Sequence, residues 1–461
     1  MELTDGTVAG TGTPSLPARS RPWSARLLED PRTLGRMVQQ AGGPFHVLHP
    51  ATFGENVRAF QSALLGAGVD GQVMYGKKAN KSSCWLAACV DTGAGVDVAS
   101  AQELVHSLAH GVRGEDLVVT GAAKSTELLW LAIRHRALVA VDALDELARL
   151  TALARSTGRA RVLLRVVPPA EPDTRFGLAA GELDTALQRI ADTGGAVEMC
   201  GFSFHLSGYD AAPRAELAAE LVRRCAAERA RGHRADTISI GGGFAVSYVE
   251  ARAWDEFLAR HDEGLYHAGR RPDRFYPYHQ EPAGADMLAA ILAHRSGEGP
   301  PLADVLARTG VRLLLEPGRA LLDGAGLTVF GVQGFKPRGG TEPDGRARGI
   351  VTVDGLSMSV SEQWKGSEFL PDPELWPRAG IVEPVAACVG GASCMEYDML
   401  TWRRVPFPRS PQPGDLLVYP NTAGYQMDKN ESEFHQLPLP VRFVVGRGSD
   451  ENAAPVWRPE R

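Results

Sequence analysis

The stretch AELAAELVRRCAAERARG, residues 215–232, is followed a few positions later by TISIGGG, residues 237–243. The first segment spaces its apolar residues as an amphipathic helix does, and the second is a short, continuously apolar run that ends in three glycines. A helix that leads into a buried strand is the repeating unit of an α/β fold. The number of times this unit recurs therefore decides the architecture.

The same alternation recurs about eight times between residues 45 and 320. The apolar runs are continuous rather than alternating, as expected of strands that are buried on both faces. We therefore predict a (β/α)8 TIM barrel over residues 45–320, with an insertion at about residues 246–310, which is long for one connection. The runs are FHVLH (45–49), QVMYG (72–76), GVDVAS (95–100), DLVVTG (116–121), ALVAVD (137–142), RVLLRVV (161–167), MCGFSFHL (199–206), TISIGGG (237–243) and VRLLLEPG (311–318).

A different pattern begins at about residue 321. Short β-rich runs such as ARGIVTVDG and GDLLVYPNTAGY are separated by Gly and Pro, which predicts an antiparallel β-domain, either a barrel or a sandwich. We assign residues 321–461 and 23–44 to this domain. The Gly-, Thr-, Ser- and Pro-rich residues 1–22 are predicted to be a disordered lead.

Composition excludes several classes of protein. The net charge is −6 and no long Lys/Arg run occurs, which argues against nucleic acid or an anionic membrane as the partner. The six cysteines form no CxxC pair, so neither a disulfide framework nor a metal site is expected. The first residues lack the apolar core of a signal peptide. These features predict a cytoplasmic enzyme.

Chemistry in a TIM barrel lies where the strands end, at the carboxyl face. Taken in order, the predicted strand ends carry a cation, a carboxylate, an imidazole, a glycine-rich turn and a Glu/Arg pair: Lys78, Asp97, His205, Gly241, Gly242, Gly243, Glu316 and Arg319.

A phosphorylated aromatic cofactor would use each of these groups. Glycine N–H groups can approach a phosphate closely, and Arg319 can pair with it through several donors. Glu316 can accept a hydrogen bond from a protonated ring nitrogen, and His205 can lie flat against the ring. Lys78 or its neighbour Lys77 can form an imine with an aldehyde. This set describes pyridoxal 5'-phosphate.

At this point the sequence resembles a known family, the fold-type III pyridoxal-phosphate enzymes, which include ornithine, arginine and diaminopimelate decarboxylases and, more distantly, alanine racemase. The resemblance runs from about residue 45 to residue 428. It rests on the order and spacing of YGKKAN, GVDVASAQEL, TGAAKSTELL, RFGL, GFSFHLSG, IGGGF, EPGRALL, GASCMEYD and NTAGYQMD.

The resemblance implies roles for individual residues. The lysine directly before Ala-Asn, Lys78, corresponds to the one that binds the cofactor covalently. Neighbours on a strand point to opposite sides, so Lys77 is expected to be solvated or to face a helix. Asp97 is expected near the phosphate side of His205, and Tyr425 is expected to contact the phosphate from the β-domain.

The resemblance also implies a decarboxylase that acts as a homodimer. Cys394 corresponds to a cysteine that reaches the partner's active site and delivers a proton to Cα after carbon dioxide leaves. Asp398 and Asp354 correspond to carboxylates that contact the distal amine of a basic substrate. Two departures stand out: Ser239 replaces an aspartate before the glycines, and the order HLSG alters the position of Ser207.

The sequence leaves other functions and other roles for these residues open. A racemase or epimerase would use Lys78 and Cys394 as opposed acid/base groups, and a binding protein would hold the cofactor without turnover. Asp354 and Asp398 would be structural if the substrate is not basic. In the insertion, a packed loop and a substrate pocket are both compatible with Tyr276, Tyr278 and His279.

Overall fold

A computed structural model describes residues 12–360, 368–378, 382–446 and 456–460. The chain divides into two compact units. The barrel unit comprises residues 49–246 and 281–325, and the sheet unit comprises residues 1–48, 247–280 and 326–461. Each unit is therefore assembled from separate parts of the chain.

The described residues form strands and helices along the whole sequence. The strands are β1 (Phe45–Leu48), β2 (Gly71–Gly76), β3 (Gly95–Val98), β4 (Leu117–Val119), β5 (Leu138–Val141), β6 (Ala160–Arg165), β7 (Val197–Ser203), β8 (Thr237–Ser239), β9 (Arg312–Leu315), β10 (Gly326–Thr341), β11 (Ala347–Val353), β12 (Glu374–Trp376), β13 (Val385–Gly390), β14 (Met399–Phe407), β15 (Leu416–Tyr419), β16 (Val441–Gly446) and β17 (Val456–Pro459). The helices are α1 (Pro22–Leu28), α2 (Pro31–Ala41), α3 (Pro50–Gly66), α4 (Ser83–Thr92), α5 (Ala101–Ala109), α6 (Thr126–Arg134), α7 (Leu144–Thr157), α8 (Ala180–Ala191), α9 (Ala211–Ala230), α10 (Ala251–Arg260), α11 (Gly284–Ala293) and α12 (Leu302–Thr309).

Strands β2 to β9 close into an eight-stranded parallel barrel, which confirms the predicted TIM-barrel architecture. Each neighbouring pair is parallel, and β9 pairs with β2 to complete the ring. Side chains from six strands meet in one interior layer, so the barrel is filled rather than hollow. That layer consists of Met74, Val118, Leu138, Leu163, Cys200 and Leu314.

The helices around the barrel begin and end where the sequence supplies caps. Ser100 and Ser125 each accept a backbone N–H bond from the first turn of α5 and α6. Gly93 and Gly310 end α4 and α12 in the left-handed conformation. The two serines lie in loops that follow the carboxyl ends of β3 and β4, whereas the two glycines lie in loops that precede β3 and β9.

The sheet unit contains a nine-stranded sheet that is mostly antiparallel, as predicted for the β-domain. Its main path runs β14-β13-β11-β10-β1-β16-β17, with β15 attached to β10 and β12 attached to β15. Two pairings, β1 with β16 and β11 with β13, are parallel. Apolar side chains of α1 and α2, among them Leu27 and Met37, pack against one face of this sheet.

The first apolar run, residues 45–49, was assigned to the barrel and belongs to the sheet instead. β1 pairs with β10 on one side and with β16 on the other. All four of its residues are buried, as they would be in a barrel strand, so the sequence pattern does not distinguish the two locations. The barrel begins one strand later, at β2, and its last strand is β9.

The predicted lead and insertion also acquire structure. Residues 1–11 lie outside the described part of the chain, but Leu16 is fully buried and its N–H donates to the Asp372 carboxylate. The insertion is divided between the units: residues 247–280 lie in the sheet unit and residues 281–310 lie in the barrel unit, where they include α11 and α12. Among the described residues, none of the helices combines the length and apolar character needed to cross a bilayer.

Candidate active site

The predicted residues of the barrel unit lie at the carboxyl ends of its strands, which we call the barrel mouth. Lys78 follows β2, Asp97 lies near the end of β3, and Glu316 follows β9. His205 follows β7, and the glycines 241–243 follow β8. Arg319 opens a short 3-10 turn, Arg319–Leu322, three residues after Glu316. The barrel therefore brings together residues that are up to 241 positions apart in the sequence, from Lys78 to Arg319.

The two lysines lie on a 3-10 turn, Lys77–Ala79, rather than on the strand itself. Lys77 is only 4% exposed, and its Nζ donates to the carbonyl of Lys81 at 3.4 Å. Of the two expectations for Lys77, that it is solvated or that it faces a helix, the first is therefore wrong. Lys78 is exposed, and its positive charge acts on the pKa of Asp97, His205 and Glu316. The turn thus separates a packed lysine from one that faces the groups of the mouth.

Asp97 is a buried carboxylate that accepts a hydrogen bond from the hydroxyl of Thr120 at 2.6 Å. Burial raises the pKa of Asp97, and the positive charge of Lys78 opposes that rise. The carboxylate consequently depends on a nearby cation to stay ionised.

His205 is held in its neutral form. Burial and then the charges of Lys78 and Arg165 lower the pKa of His205 to about 3. The Nδ1 atom accepts a hydrogen bond from the N–H of Gly242 at 3.3 Å. Because Nδ1 is an acceptor, the ring proton of the neutral imidazole is on Nε2. His205 therefore presents an uncharged aromatic ring.

Glu316 is hydrogen-bonded to Ser239, which lies at the end of β8 just before the glycine turn. The Ser239 hydroxyl donates to Glu316 Oε1 at 2.6 Å, and the N–H of Gly241 donates to the same hydroxyl at 3.3 Å. Burial, followed by the negative charge of Asp97, raises the pKa of Glu316 to about 7. A carboxyl group with this pKa exchanges a proton readily near neutral pH.

This raised pKa predicts a pH dependence of stability. Glu316 binds its proton more tightly in the folded protein than at the unfolded value of 4.5, so its contribution is favourable below that pH and is lost as the pH rises towards 7. We expect Glu316→Gln to raise the thermal unfolding midpoint of the cofactor-free protein more at pH 8 than at pH 5. The exposed Glu220→Gln variant is the control, and an equal shift of Glu316→Gln at both pH values would contradict the assignment.

The glycine turn after β8 is required by the protein's own packing. A Cβ on Gly241 would lie 2.7 Å from His205 Nδ1, and one on Gly242 would lie 2.7 Å from the Glu316 carbonyl oxygen. Gly243 has φ +81°, and a Cβ there would lie 2.3 Å from a guanidinium nitrogen of Arg214. The glycines therefore let the turn fit between His205, Glu316 and Arg214. This packing requires glycine whether or not the turn also binds a phosphate.

Gly243→Ala is therefore expected to destabilise the protein by about 1–3 kcal/mol, because the added methyl group displaces a fully buried arginine. Thermal or urea unfolding measures the effect. Gly68→Ala is the matched control, since Gly68 has φ +66° with nothing within 4 Å of its Cβ position. The Gly68→Ala variant therefore measures the cost of backbone strain without a steric contact. Equal losses in the two variants would show that contact with Arg214 contributes nothing.

Arg214 itself was missed in the sequence. Its guanidinium donates to the carbonyls of Leu206 and Gly208 at 2.8 and 2.7 Å, and so holds the loop that follows His205. In the same loop, the N–H of Ser207 donates to the Glu171 carboxylate at 2.6 Å. The altered HLSG order thus places Ser207 against a protein carboxylate. Neither contact could be inferred from the sequence. Arg214 is one of several arginines on α9, and Glu171 lies 36 residues before Ser207.

Arg165 was also missed, although it ends β6 and the strand-end argument applies to it. Its guanidinium lies 3.3 Å from the Asp142 carboxylate and 4.3 Å from the centre of the Phe176 ring. Its charge lowers the pKa of His205 and opposes the rise in the pKa of Asp97 and Glu316. It is therefore a second cation of the mouth.

The remaining predicted residues lie in the sheet unit. Cys394 is exposed, with its Sγ 3.2 Å from Nε2 of His435. Asp398 is buried and accepts the N–H groups of Ser357 and Ser393 at 2.8 and 3.0 Å. Both carboxylate oxygens of Asp398 therefore hold loop backbone.

Asp354 and Tyr425 have local contacts of their own. Asp354 accepts the N–H of Gly331 at 2.9 Å, and burial raises the pKa of Asp354. Tyr425 has a left-handed backbone, φ 72°, and the Lys429 ammonium lies 5.4 Å from its ring centre. Asp354, like Asp398, thus holds a backbone amide within the sheet unit.

The aromatic residues of the insertion pack within the sheet unit. Tyr278 is buried and donates its hydroxyl to the Glu368 carbonyl at 2.8 Å. His279 Nδ1 lies 3.2 Å from the carbonyl oxygen of Val249, and the Tyr276 ring packs edge-on against Tyr248. These contacts favour the packed loop over the substrate pocket.

An eight-stranded barrel with lysine, neutral histidine, a glycine turn and glutamate at its mouth, accompanied by a β-sheet unit, defines a fold-type III pyridoxal-phosphate protein. A family model described as "Pyridoxal-dependent decarboxylase, pyridoxal binding domain" matches residues 51–262. The uncharacterized protein y4yA of Sinorhizobium fredii is 38% identical over 408 residues, covering 88% of this chain and 88% of its own. The chain belongs to the pyridoxal-dependent decarboxylase family, whose members use pyridoxal 5'-phosphate.

Further relatives agree with this assignment. Diaminopimelate decarboxylase of Bacillus subtilis is 26% identical over 434 residues, covering 89% of this chain and 88% of its own. Among solved structures, diaminopimelate decarboxylase of Helicobacter pylori complexed with L-lysine has a TM-score of 0.70 at 17% identity, covering 93% and 96% of the two chains. Arginine decarboxylase of Paramecium bursaria Chlorella virus bound to agmatine has a TM-score of 0.65 at 15% identity, covering 87% and 97%. The two structures share the fold.

Proposed function

We propose that this protein removes the α-carboxylate of an amino acid as carbon dioxide, with pyridoxal 5'-phosphate bound at the barrel mouth. The observation that carries the proposal is the arrangement of the mouth itself. An exposed lysine, Lys78, acts electrostatically on a buried carboxylate, Asp97, on a neutral imidazole, His205, and on a carboxyl group with a pKa near 7, Glu316.

The residues present fit the cofactor. Lys78 supplies an amine for its aldehyde, and Glu316 supplies a carboxyl group for its ring nitrogen. His205 offers a flat, uncharged ring to stack on. The turn 241–243 offers backbone N–H groups to a phosphate, and Arg319 offers a guanidinium. Tyr425, in the sheet unit, is proposed as a further phosphate contact.

Each side chain then has a task in the reaction. When bound, pyridoxal phosphate supplies an electron-accepting ring for the pair left by departing carbon dioxide. Glu316 would accept a hydrogen bond from the protonated ring nitrogen, which keeps the ring electron-poor. His205 stays neutral, so it adds no charge to the face of the ring. Asp97 balances the positive charges of Lys78 and Arg165, and Lys78 would supply the amine that releases the product.

Cys394 is proposed to give the proton that replaces the carboxylate, acting in the mouth of a second copy of the chain. Large apolar side chains next to Cys394 and next to its contact His435 are exposed in the single chain: Met395 at 44%, Tyr397 at 54% and Phe434 at 45%. Such a group of exposed apolar residues is typical of a surface covered by a partner. A homodimer with shared sites is therefore part of the proposal.

The substrate is proposed to be an α-amino acid, with basic amino acids tested first because the two solved relatives are complexed with L-lysine and agmatine. Asp354 and Asp398 are the carboxylates proposed for a distal amine. Each already accepts backbone N–H groups, so an amine would use the remaining lone pairs. A reducing, cytoplasmic setting is proposed because the six cysteines are all free thiols.

Carbon dioxide release from a panel of amino acids tests the function. The purified protein with pyridoxal phosphate is expected to release carbon dioxide and the matching amine from at least one basic or neutral L-amino acid. Omission of the cofactor is the control. Turnover of basic amino acids alone would support the distal-amine role of Asp354 and Asp398, whereas turnover of neutral ones would assign both to the loops. No release from any amino acid would contradict the proposed activity.

A further inference from the structure

Cys394 is in direct contact with a histidine that the sequence analysis did not single out. Its Sγ lies 3.2 Å from Nε2 of His435, and its backbone N–H also points to that nitrogen at 3.4 Å. Both residues are exposed, and the imidazole packs against the Phe434 ring with 4.3 Å between ring centres. One imidazole nitrogen is therefore aimed at the thiol by two contacts.

The backbone at His435 is held in an unusual conformation. His435 and Gln436 have φ values of 61° and 59°, in the left-handed region that side chains other than glycine seldom adopt. Two such residues in succession are strained, and strain of this kind concentrates at functional sites. In this conformation the ring's Nε2 lies 3.2 Å from Cys394 Sγ.

The other cysteines have a different environment. Cys84, Cys89, Cys200, Cys225 and Cys388 are all buried, whereas Cys394 is exposed. Burial raises the pKa of four of them, that of Cys200 to about 11. These thiols pack as apolar side chains. Cys394 is thus the thiol with both solvent access and an imidazole partner.

Charged groups on the neighbouring segments are engaged elsewhere or face solvent. Glu396 lies 3.4 Å from His267 Nε2, and Asp398 accepts loop N–H groups. Arg270 lies over the Tyr397 ring at 5.5 Å, and Glu433 is exposed at the start of the turn that carries His435. Within the described parts of the chain, His435 is therefore the titratable group in contact with Sγ.

We propose that His435 is the proton partner of Cys394, a positioning residue that holds the thiol proton and restores it in each cycle. This inference rests on the proposed function. The Sγ–H bond of Cys394 breaks as its proton passes to the electron pair on the substrate carbon, and the S–H electrons remain on sulfur. The neutral imidazole of His435, which is exposed in the single chain, takes up a proton from solvent and passes it from Nε2 to the thiolate.

Alkylation of Cys394 by iodoacetamide tests the pairing without any turnover. His435→Asn is the variant of choice, because asparagine tolerates the left-handed backbone but cannot hold a proton at this pH. We expect its alkylation at pH 7 to be about tenfold slower than that of the parent, since Nε2 of His435 accepts the thiol proton and so favours the reactive thiolate. At pH 9.5 the two rates should converge. His267→Gln, which alters the contact with Glu396 and not the one with Sγ, should react as the parent does.

Turnover provides the second readout. His435→Asn should lower kcat about tenfold with KM unchanged, and added imidazole should restore part of the loss. Parent-like alkylation of His435→Asn at pH 7, or an equal slowing in His267→Gln, would overturn the pairing. If His435→Asn is alkylated as fast as the parent, only the pairing of Cys394 with His435 is contradicted, and the proposed decarboxylation is not. Undiminished turnover of Cys394→Ser alongside an intact alkylation effect would instead overturn the proposed proton donor.

Discussion

Lys78→Met is expected to lower amino-acid turnover on the order of 10⁴-fold, because it removes the amine that would bind the cofactor's aldehyde. The substitution keeps the length of the apolar stem and deletes only the ammonium group. It should also abolish covalent labelling of the turn 77–79 when the protein is reduced with borohydride in the presence of pyridoxal phosphate. Steady-state turnover and peptide mass mapping measure the two effects.

Lys77→Met is the matched control for this prediction. Lys77 occupies the same 3-10 turn but is buried, with its Nζ bonded to the Lys81 carbonyl. Its loss should cost about 1 kcal/mol of stability from the missing hydrogen bond and change turnover only a few-fold. A labelled Lys77, or a Lys77→Met variant as inactive as Lys78→Met, would contradict the assignment of the two lysines.

Cys394→Ala is expected to lower kcat by about 10²–10⁴-fold, the usual contribution of a positioned general acid. KM should change little, because the thiol acts after the substrate has bound. The folded state should be unaffected, since Cys394 is exposed. Comparison of kcat and KM with the thermal unfolding midpoint separates these outcomes. A parent-like kcat would contradict the role of the thiol.

Mixing variants tests whether Cys394 acts across two chains. After subunit exchange, Lys78→Met combined with Cys394→Ala should regain about a quarter of the parent activity, because half of the chains pair as heterodimers and each heterodimer has one complete site. Lys78→Met mixed with Lys78→Ala is the control and should regain nothing. No recovery in a mixture that demonstrably exchanges subunits would place Cys394 in the site of its own chain.

The barrel could be predicted because each of its strands is a continuous apolar run that ends in a polar or glycine residue. The same signal misplaced Phe45–Leu48, since a strand buried in a mixed sheet has the same apolar sequence as one buried in a barrel. Pairing with β10 and β16 decides its location, and those partners lie almost 300 and 400 residues away. Sequence periodicity carries no information about such distant partners.

The site was predicted unevenly for a related reason. Lys78, Asp97, His205 and Glu316 were found because position at a strand end implies position at the mouth. Arg165 satisfies the same rule and could have been found with them. The Ser239–Glu316 and Cys394–His435 contacts join residues 77 and 41 positions apart, and only the folded chain shows them.

The most direct test of the central claim is incubation of the protein and pyridoxal phosphate with amino acids in heavy water, with products read by mass spectrometry. Our account predicts carbon dioxide and an amine that carries one deuterium at the carbon that lost the carboxylate. In heavy water, exchangeable groups such as the thiol of Cys394 carry deuterium and would transfer it to that carbon. Recovery of the amino acid with deuterium at Cα and its carboxylate intact would contradict decarboxylation and identify the protein as a racemase.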